Sequence, residues 1–376
     1  MDCHHFDAGR CRSCTWLSRP YDDQLAAKYE RVRDVLADTG PIAWEAPVAS
    51  RESGFRNKAK MVVTGSVEDP ALGILGEGTT GVDLRDCPIH EPAIQVALPI
   101  LASFVSRAAL TPYDVTARQG ELKLVLVTAT PDGALMVRFV CRSQEPVTRI
   151  RKHLPWLQER LPRLQVVTVN LQPEHKAVVE GDTEIVLTEA GTISMRVNGL
   201  DLSVRPQSFF QTNTAIAASL YQHARDWVGA TDTDRVWDLY SGVGGFALHL
   251  ARPGIAVTGI EISPEAVAGA TESAVRAGLS GTSFVAGDAI TWATAQRSAA
   301  DLVVVNPPRR GIGAELAGWL DGHGARRVLY SSCNPETLAR DLAAMPGLRP
   351  TRARLFDMFP HTDHAEVLML LERVSG

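Results

Sequence analysis

The sequence predicts an α/β protein whose C-terminal part, from about residue 205, folds as a doubly wound sheet. In this part, short β-branched segments alternate with helical segments, which is the pattern of a sheet with helices on both faces. A glycine-rich turn, Gly242–Gly245, follows the first strand, at the place where such a fold brings its backbone close to a ligand. We predict seven strands: Arg235–Tyr240, Ala256–Ile262, Thr282–Ala286, Asp301–Val305, Arg327–Ser331, Arg349–Phe356 and Glu366–Leu371.

The rest of the chain divides into two further parts. Residues 1–44 hold clustered cysteines and an amphipathic docking helix, Tyr21–Leu36, which Gly40 ends. Residues 45–204 form a β-rich module with one helix, which leaves 205–376 for the doubly wound domain. The strands of the module are predicted at Lys60–Thr64, Leu122–Thr128, Leu135–Val140, Val166–Asn170 and Glu184–Leu187.

Composition and residue order exclude several classes of protein. The chain of 376 residues has a net charge of -5, so its overall charge does not indicate nucleic-acid binding. Cys3, His4 and Asp7 fall where a signal peptide needs an apolar core. The longest apolar stretch, Val96–Val105, contains Pro99 and is too short to span a bilayer. We therefore expect a soluble cytoplasmic protein, with no membrane partner, whose cysteines stay reduced or bind metal.

Four cysteines form the first candidate site. Cys3, Cys11 and Cys14 have the spacing C-x7-C-x2-C, and Cys87 supplies a fourth thiol. Four thiolates suit an iron–sulfur cluster or zinc, and plain thiols are the third possibility. Pro88, directly after Cys87, favours the cluster, since Cys-Pro often ends cluster motifs.

Two features of the β-rich module carry positive charge. Arg56, Lys58 and Lys60 alternate and would share one face of a strand. Residues 138–163 include seven Arg or Lys and two Glu, a net charge of +5. Phosphate binding and an ordinary solvated face both explain this pattern. Cys141, between apolar residues and Arg142, is interpreted as structural.

Carboxylates at the ends of the first three strands suggest a nucleoside-containing ligand. Asp238 stands four residues before Gly242, where it would repel a pyrophosphate but suit a cation or amine such as the methionine end of S-adenosylmethionine. Glu261 can accept both ribose hydroxyls of that ligand or of NAD, so it does not separate the two. Asp288 could reach an adenine amino group, or be a surface carboxylate.

The fourth and fifth strands end in residues that carry chemistry. Asn306-Pro307-Pro308 is typical of methyltransferases acting on a planar base or amide, and Arg309 replaces the aromatic residue common in amine methylases. Cys333 precedes Asn334 and Pro335, a helix N-cap followed by proline at the first helical position. We expect the helix dipole to lower the pKa of the Cys333 thiol and make it a nucleophile. The alternative is a cysteine that only packs at a strand end.

Taken together, these motifs resemble those of the RNA uracil-5 methyltransferases. The resemblance covers nearly the whole chain and is carried by Phe55-Arg-Asn-Lys58, Phe209-Phe210-Gln211-Thr-Asn213, Asp238–Phe246, Glu261, Asn306–Gly311, Ser332–Pro335 and His361–Glu366. It implies the class I S-adenosylmethionine-dependent methyltransferase fold, a β-rich RNA-binding module and a [4Fe-4S] cluster on Cys3, Cys11, Cys14 and Cys87. Many relatives carry a TRAM domain ahead of the cysteines. Here Cys3 leaves no room for one, which favours the short branch that modifies 23S rRNA.

The resemblance also implies roles for individual residues. Cys333 would attack C6 of a flipped uridine, and Glu366 would remove the C5 proton. Cofactor and target base would be held by Gln211, Tyr240, Glu261, Asp288 and Asn306. His361 and His364 would shape the pocket, and no obligate protein partner is implied. The alternatives are a tRNA uracil-5 methyltransferase, an iron–sulfur oxidoreductase using NAD and a non-catalytic RNA-binding module.

Overall fold

The computed structural model describes residues 1–76, 81–175, 180–229 and 233–374. The chain forms two compact units. Met1–Cys14 and Glu52–Ser194 make up the first unit, and Thr15–Arg51 and Met195–Gly376 make up the second. The predicted segment 1–44 is therefore divided between the units, because its cysteines lie with the β-rich module and its helix packs on the doubly wound sheet.

The helices and strands are numbered in chain order. Helices are α1 (His4–Asp7), α2 (Tyr21–Val35), α3 (Pro92–Arg107), α4 (Val147–Arg160), α5 (Thr214–Gly229), α6 (Gly245–Leu250), α7 (Pro264–Arg276), α8 (Ala289–Thr294), α9 (Gly313–Gly322) and α10 (Pro335–Ala343). Strands are β1 (Ala43–Trp44), β2 (Lys58–Gly65), β3 (Pro70–Leu75), β4 (Gly81–Asp83), β5 (Leu122–Ala129), β6 (Leu135–Cys141), β7 (Leu164–Leu171), β8 (Thr183–Val186), β9 (Ile193–Val197), β10 (Leu200–Val204), β11 (Arg235–Leu239), β12 (Ala256–Glu261), β13 (Thr282–Ala286), β14 (Leu302–Val305), β15 (Arg327–Ser332), β16 (Leu348–Phe356) and β17 (Glu366–Arg373). A 3-10 turn, Ala37–Thr39, follows α2.

The first unit is a seven-stranded sheet in the order β4-β3-β2-β5-β6-β7-β8. Its pairs are antiparallel except β6 with β7, which α4 connects. The sequence predicted one helix in this module, whereas α3 and α4 are both long. The apolar stretch that is too short for a membrane is α3, whose Ile94, Leu98, Leu101 and Val105 are fully buried at helical spacing.

The charged residues of this unit have different environments. Lys58 and Lys60 share a face of β2 opposite the buried Ala59 and Met61, as the alternation predicted. Arg138 is buried, and its Nη2 donates to Glu184 Oε2 at 2.6 Å. A buried, paired guanidinium is structural, so Arg138 does not belong to any phosphate-binding surface.

The second unit is built on an eight-stranded sheet in the order β1-β16-β17-β15-β14-β11-β12-β13. The seven predicted strands are present, and β1 adds an eighth at the edge, in parallel with β16. Neighbours from β13 to β15 are parallel, and β17 runs antiparallel between β15 and β16. From β11 the chain adds β12 and β13 on one side, and it then crosses to add β14 and β15 on the other side of β11. Doubly wound sheets bind ligands beyond the strand ends at this change of direction.

Helix α2 packs on this sheet through apolar side chains and through buried polar side chains that hydrogen-bond to the segment 357–361. Val32 and Leu36 join the core, as their spacing predicted. The fully buried Lys28 Nζ donates to Asp357 Oδ1 at 2.7 Å and to the Phe359 carbonyl at 2.9 Å. Gln24 Oε1 accepts from the His361 amide at 3.0 Å. These contacts fix the backbone segment 357–361, which leads to β17.

Among the residues that the structure describes, no helix is both long and apolar enough to cross a bilayer.

We expect Lys28→Ala to destabilise α2, because it leaves the Asp357 carboxylate buried without its cation. Breaking a buried ion pair in this way costs about 3 kcal/mol or more. Hydrogen exchange of the α2 amides should therefore accelerate by about a hundredfold or more. Arg31→Ala is the matched control. Arg31 also lies on α2 but pairs with Glu336 of α10 in an exposed setting, where the loss is about 0–1 kcal/mol. Equal exchange in both variants would contradict this role.

Candidate functional site

A cavity of about 570 Å³ opens at the carboxyl edge of the sheet in the second unit. Its walls come from the turns after β11, β12, β13, β14 and β15, from the start of β17 and from the segment before α5. The predicted site residues that line it are Gln211, Tyr240, Glu261, Asp288, Asn306, Cys333 and Glu366. The sheet thus brings together predicted residues that span more than 150 positions of sequence.

The glycine-rich turn after β11 has a strained backbone. Tyr240 has a φ of +67°, and Gly242 and Gly244 also lie in the left-handed region, at +54° and +82°. A Cβ on Gly245 would lie 2.4 Å from the Tyr221 hydroxyl oxygen. Glycine is therefore required for both the conformation and the packing of this turn.

Asp238 does not line the cavity. It is fully buried, and its Oδ2 accepts from the Ala247 amide at 2.8 Å in the first turn of α6. Burial raises the pKa of Asp238 to about 7, and the charge of Glu261 adds to this effect. The expectation that Asp238 faces the amine of a ligand is thus not met, because the carboxylate holds the glycine-rich turn from below.

Glu261 and Asp288 both line the cavity and also hold backbone. Glu261 accepts from the Gly242 amide at 3.0 Å and from the Ser263 amide at 2.9 Å, one bond to each oxygen. A carboxylate has further lone pairs for two hydroxyl groups. Asp288 is exposed and caps α8 by accepting from the Thr291 amide at 2.9 Å, a bond that lowers its pKa.

Cys333 follows β15 and precedes α10, as predicted. Asn334 is the N-cap, and its side chain accepts from the Glu336 and Thr337 amides. The predicted lowering of the thiol pKa is wrong. Burial raises the pKa of Cys333, the negative charge of Glu366 raises it further, and Arg309 only partly opposes both. Desolvation of the half-buried thiol thus outweighs the lowering effects of Arg309 and of the backbone hydrogen bond at Cys333.

Glu366 is buried at the start of β17, so it is not a surface carboxylate. Burial raises its pKa to about 7, and the Ser331 hydroxyl, which donates a short hydrogen bond to Oε1, opposes the rise. Ser332 pairs with Val367 in the antiparallel β15–β17 ladder, which places Cys333 and Glu366 at neighbouring ends of the two strands.

Sequence reasoning missed Ser331. The available indication was a polar residue at the end of an otherwise apolar strand, immediately before Ser332 and Cys333. Its pairing with Glu366 depends on strand order, which the local sequence does not contain. Cys141 is fully buried, in agreement with its structural interpretation.

A smaller cavity lies beside Cys333 in the same unit. It is lined by Lys28, Arg31, Arg309 and His364, among others, and Arg309 Nη2 lies 3.4 Å from His364 Nδ1. Cys333 and Arg309 line both cavities. His361 is fully buried, with a φ of +64°. His364 therefore borders the site, whereas His361 supports it from within the core.

The four remaining candidate cysteines surround a cavity in the first unit. This cavity, of about 200 Å³, is lined by Cys3, Cys11, Cys14 and Cys87, together with Arg56, His5 and His90. Burial raises the pKa of Cys14 to about 12 and that of Cys87 to about 11, and repulsion among the cysteine sulfurs adds to both shifts. The fold therefore brings Cys87 to the same cavity as Cys3, Cys11 and Cys14, from which it is more than 70 positions away in sequence.

Comparisons with known proteins identify the family. A family model described as tRNA (Uracil-5-)-methyltransferase matches residues 163–374. The chain is 52% identical, over 99% of both chains, to the 23S rRNA (uracil(747)-C(5))-methyltransferase RlmC of Escherichia coli (strain SMS-3-5 / SECEC). The chain belongs to the RNA uracil-5 methyltransferase family. The enzyme of the same description from Shigella boydii serotype 4 (strain Sb227) is also 52% identical over 99% of both chains.

A solved structure supports the fold of the RNA uracil-5 methyltransferase family. The chain is similar to the Pyrococcus abyssi tRNA (uracil-54, C5)-methyltransferase in complex with S-adenosyl-L-homocysteine, with a TM-score of 0.79 and 24% sequence identity. The match covers 95% of this chain and 85% of that one. The predicted resemblance and the class I methyltransferase fold are thus confirmed.

The raised pKa of Glu366 predicts a pH-dependent stability. An ordinary glutamate titrates near 4.5, whereas Glu366 in the folded protein titrates near 7. Ionising Glu366 therefore costs the folded protein no stability below pH 4.5, an increasing amount between pH 4.5 and 7, and the full amount above pH 7. Glu366→Gln cannot ionise. The variant should therefore gain stability over the wild type between pH 5 and 8, by up to about 3 kcal/mol.

Thermal unfolding midpoints of both proteins across that range would measure the gain. Glu315→Gln is the control, because it makes the same chemical change at an exposed position of α9. Its midpoint should follow that of the wild type. A difference between Glu366→Gln and the wild type that stays constant with pH would contradict the raised pKa.

Proposed function

We propose that this protein methylates C5 of a uridine in 23S rRNA, with S-adenosylmethionine as the methyl donor. The observation that carries the proposal is the meeting of Cys333 and Glu366, from adjacent strand ends, in one cavity large enough for a nucleoside-sized ligand. The 52% identical relatives named as 23S rRNA uracil-5 methyltransferases support the choice of RNA.

The donor would be held by the residues around the glycine-rich turn. Glu261 would accept the ribose hydroxyls, and Asp288, Tyr240, Asn306 and Gln211 would line the rest of the donor and base sites. S-adenosylmethionine, when bound, supplies a methyl group activated by its sulfonium sulfur. The strained Tyr240–Gly245 turn lets the backbone approach the donor closely.

Cys333 would act as the nucleophile. Uracil C5 is too weakly nucleophilic to take a methyl group directly. When the thiolate adds to C6, the ring becomes an enolate whose C5 can attack the methyl group, and S-adenosylhomocysteine leaves. Because the pKa of Cys333 is raised, the thiol must lose its proton within the assembled site. Arg309, which lowers that pKa, is the neighbouring cation that favours the thiolate.

Glu366 would complete the reaction as the general base. After methyl transfer, C5 carries both the methyl group and its original proton. The Glu366 carboxylate takes this proton, the C5–C6 double bond re-forms, and the bond from C6 to the Cys333 sulfur breaks to return the thiolate. A pKa of about 7 suits the task, since efficient bases titrate near the working pH.

The target uridine must leave its stack to reach Cys333. Phe209, which is 64% exposed, lies at the cavity and offers an aromatic surface to an extruded base. Arg309 and Arg310 are exposed at the same cavity and suit the phosphates that flank the base.

The cysteines of the first unit would hold a [4Fe-4S] cluster. All four line one cavity of about 200 Å³, which is where four thiolates would have to meet around such a group. Arg56, half-buried at this cavity, suits the net negative charge of such a cluster. Methyl transfer needs no redox step, so the cluster would be structural.

The test of the function is methyl transfer from S-adenosylmethionine to unmodified 23S rRNA, with tRNA in parallel and nucleosides identified by mass spectrometry. We expect 5-methyluridine in the rRNA alone. Cys333→Ala should lower turnover about a thousandfold or more while donor affinity, measured by calorimetry, stays unchanged. Product in tRNA alone would overturn the substrate, and no product in either RNA would overturn the activity.

The base assignment predicts a trapped intermediate. Glu366→Gln can form the bond from Cys333 to C6 but cannot take the C5 proton, so a covalent protein–RNA adduct should accumulate on a denaturing gel. The matched control is the double variant Cys333→Ala with Glu366→Gln, in which the adduct should disappear. An adduct that persists in the double variant, or none in Glu366→Gln, would contradict these roles.

A further inference from the structure

Helix α10 binds the loop that follows β14, residues 306–312, here called the arginine loop. Asn334 Nδ2 and Thr337 Oγ1 donate to the Arg309 carbonyl oxygen, at 3.3 and 3.2 Å. Three positions further along the helix, Arg340 donates to a second carbonyl oxygen of the loop. Because these side chains are spaced three positions apart, they share one side of α10, and the loop backbone follows that side.

The end of the arginine loop contacts one buried carboxylate, that of Asp341. This residue lies on α10 and is 1% exposed. Its Oδ2 accepts from the Ile312 amide at 2.8 Å and from the Tyr330 hydroxyl at 2.7 Å. Gly311 has a φ of +80°, and a Cβ at this position would collide with the same oxygen. Glycine is therefore what allows the loop to approach Asp341 so closely.

The position of this loop matters for Cys333, because the loop carries Arg309. Arg309 and Cys333 line both cavities of the second unit. Burial and the charge of Glu366 raise the pKa of the Cys333 thiol, and the charge of Arg309 lowers it. The Arg309 side chain is exposed, so packing around it does not fix its place. Its position beside the thiol depends on the backbone of the loop.

We propose that Asp341 is a positioning residue, which fixes the arginine loop so that Arg309 stays beside the Cys333 thiol. The inference rests on the proposed function, in which this thiol must become a thiolate. Asp341 lines neither cavity of the second unit, so it acts through the loop and not by contact with RNA or donor.

The other charged side chains around Cys333 lie outside the arginine loop. They come from α2, from the first turn of α10 and from the segment that leads into β17: Lys28, Arg31, Glu336, Asp363, His364 and Glu366. Loss of the bond between Asp341 and the loop would leave these groups in place. A change in the reactivity of the thiol can therefore be assigned to the arginine loop.

Three variants separate the contacts of Asp341. Asp341→Ala removes the acceptor. Asp341→Asn keeps a side-chain oxygen that can accept from both Ile312 and Tyr330, so it should restore the wild-type behaviour. Tyr330→Phe is the matched control, because it deletes the other buried hydrogen bond to Asp341 Oδ2 and leaves the bond to the loop.

The first measurement needs neither RNA nor donor. The rate at which iodoacetamide alkylates Cys333 at about pH 8, followed by mass spectrometry of the Cys333 peptide, reports the thiolate fraction. We expect this rate to fall in Asp341→Ala and in Arg309→Ala, and to stay at the wild-type value in Asp341→Asn and Tyr330→Phe. The double variant Asp341→Ala with Arg309→Ala should fall no further than Arg309→Ala, because both changes remove the same charge from the thiol.

Methyl transfer to unmodified 23S rRNA is the second measurement. In Asp341→Ala, kcat should fall by up to about a hundredfold, the loss expected when a distant change misplaces a catalytic group by about 1 Å. Asp341→Asn and Tyr330→Phe should retain the wild-type kcat. If Asp341→Ala does not fold, Asp341→Leu combined with Tyr330→Phe replaces it, since this pair leaves no buried Tyr330 hydroxyl without a partner.

Three outcomes of the alkylation experiment would overturn the inference. Asp341→Ala could react at the wild-type rate or faster, or Tyr330→Phe could slow the reaction as much as Asp341→Ala does. The effects of Asp341→Ala and Arg309→Ala could also simply add, which would show that Asp341 does not act through Arg309. A wild type that methylates neither 23S rRNA nor tRNA would refute the proposed function instead, and the alkylation rates would still decide whether Asp341 positions Arg309.

Discussion

The antiparallel insertion of β17 between β15 and β16 is the constraint on which the candidate site depends. In a parallel sheet the ends of neighbouring strands share one edge, but each strand start lies at the opposite edge. Because β17 is reversed, its first residue, Glu366, lies beside the end of β15, where Cys333 follows. The Cys333 thiol and the Glu366 carboxylate, 33 positions apart in sequence, thus line one cavity. The paired strands β15 and β17, rather than a long loop, determine their separation.

Burial of this pair determines its proton chemistry. The cavity raises the pKa of both Cys333 and Glu366, and a charge on Glu366 makes the thiolate still less stable. The two groups therefore resist being negative at the same time in the free protein. In the proposed reaction they need not be, because the thiolate is consumed in its bond to C6 before Glu366 must accept a proton. The coupling that opposes ionisation of both groups thus matches the order of the chemical steps.

Much of this organisation was predictable from the sequence, since alternation, glycine turns and caps are local patterns. The strands of the second unit and the Asn334 cap belong to this class. Three features were not predictable, because each depends on distant neighbours. The pKa of Cys333 follows burial and Glu366 rather than the helix end. Asp238 supports the glycine-rich turn instead of facing the cavity. Helix α2 packs with the second unit, where Lys28 forms an ion pair with Asp357, more than 300 residues away in sequence.

Lys28–Asp357 and His5–Asp86 have the same structural role in their separate units. Each joins a segment from the start of the chain to a distant segment beside a functional cavity. Neither pair contributes much net stability: desolvation offsets the attraction in the fully buried Lys28–Asp357 pair, and water competes for the His5–Asp86 contact, because the Asp86 side chain is 61% exposed. The advantage of such a pair is geometric, since hydrogen bonds define direction and apolar contacts do not. Such pairs therefore suit cavities whose proposed chemistry requires fixed positions, of a base near a nucleophile or of four sulfurs around one group.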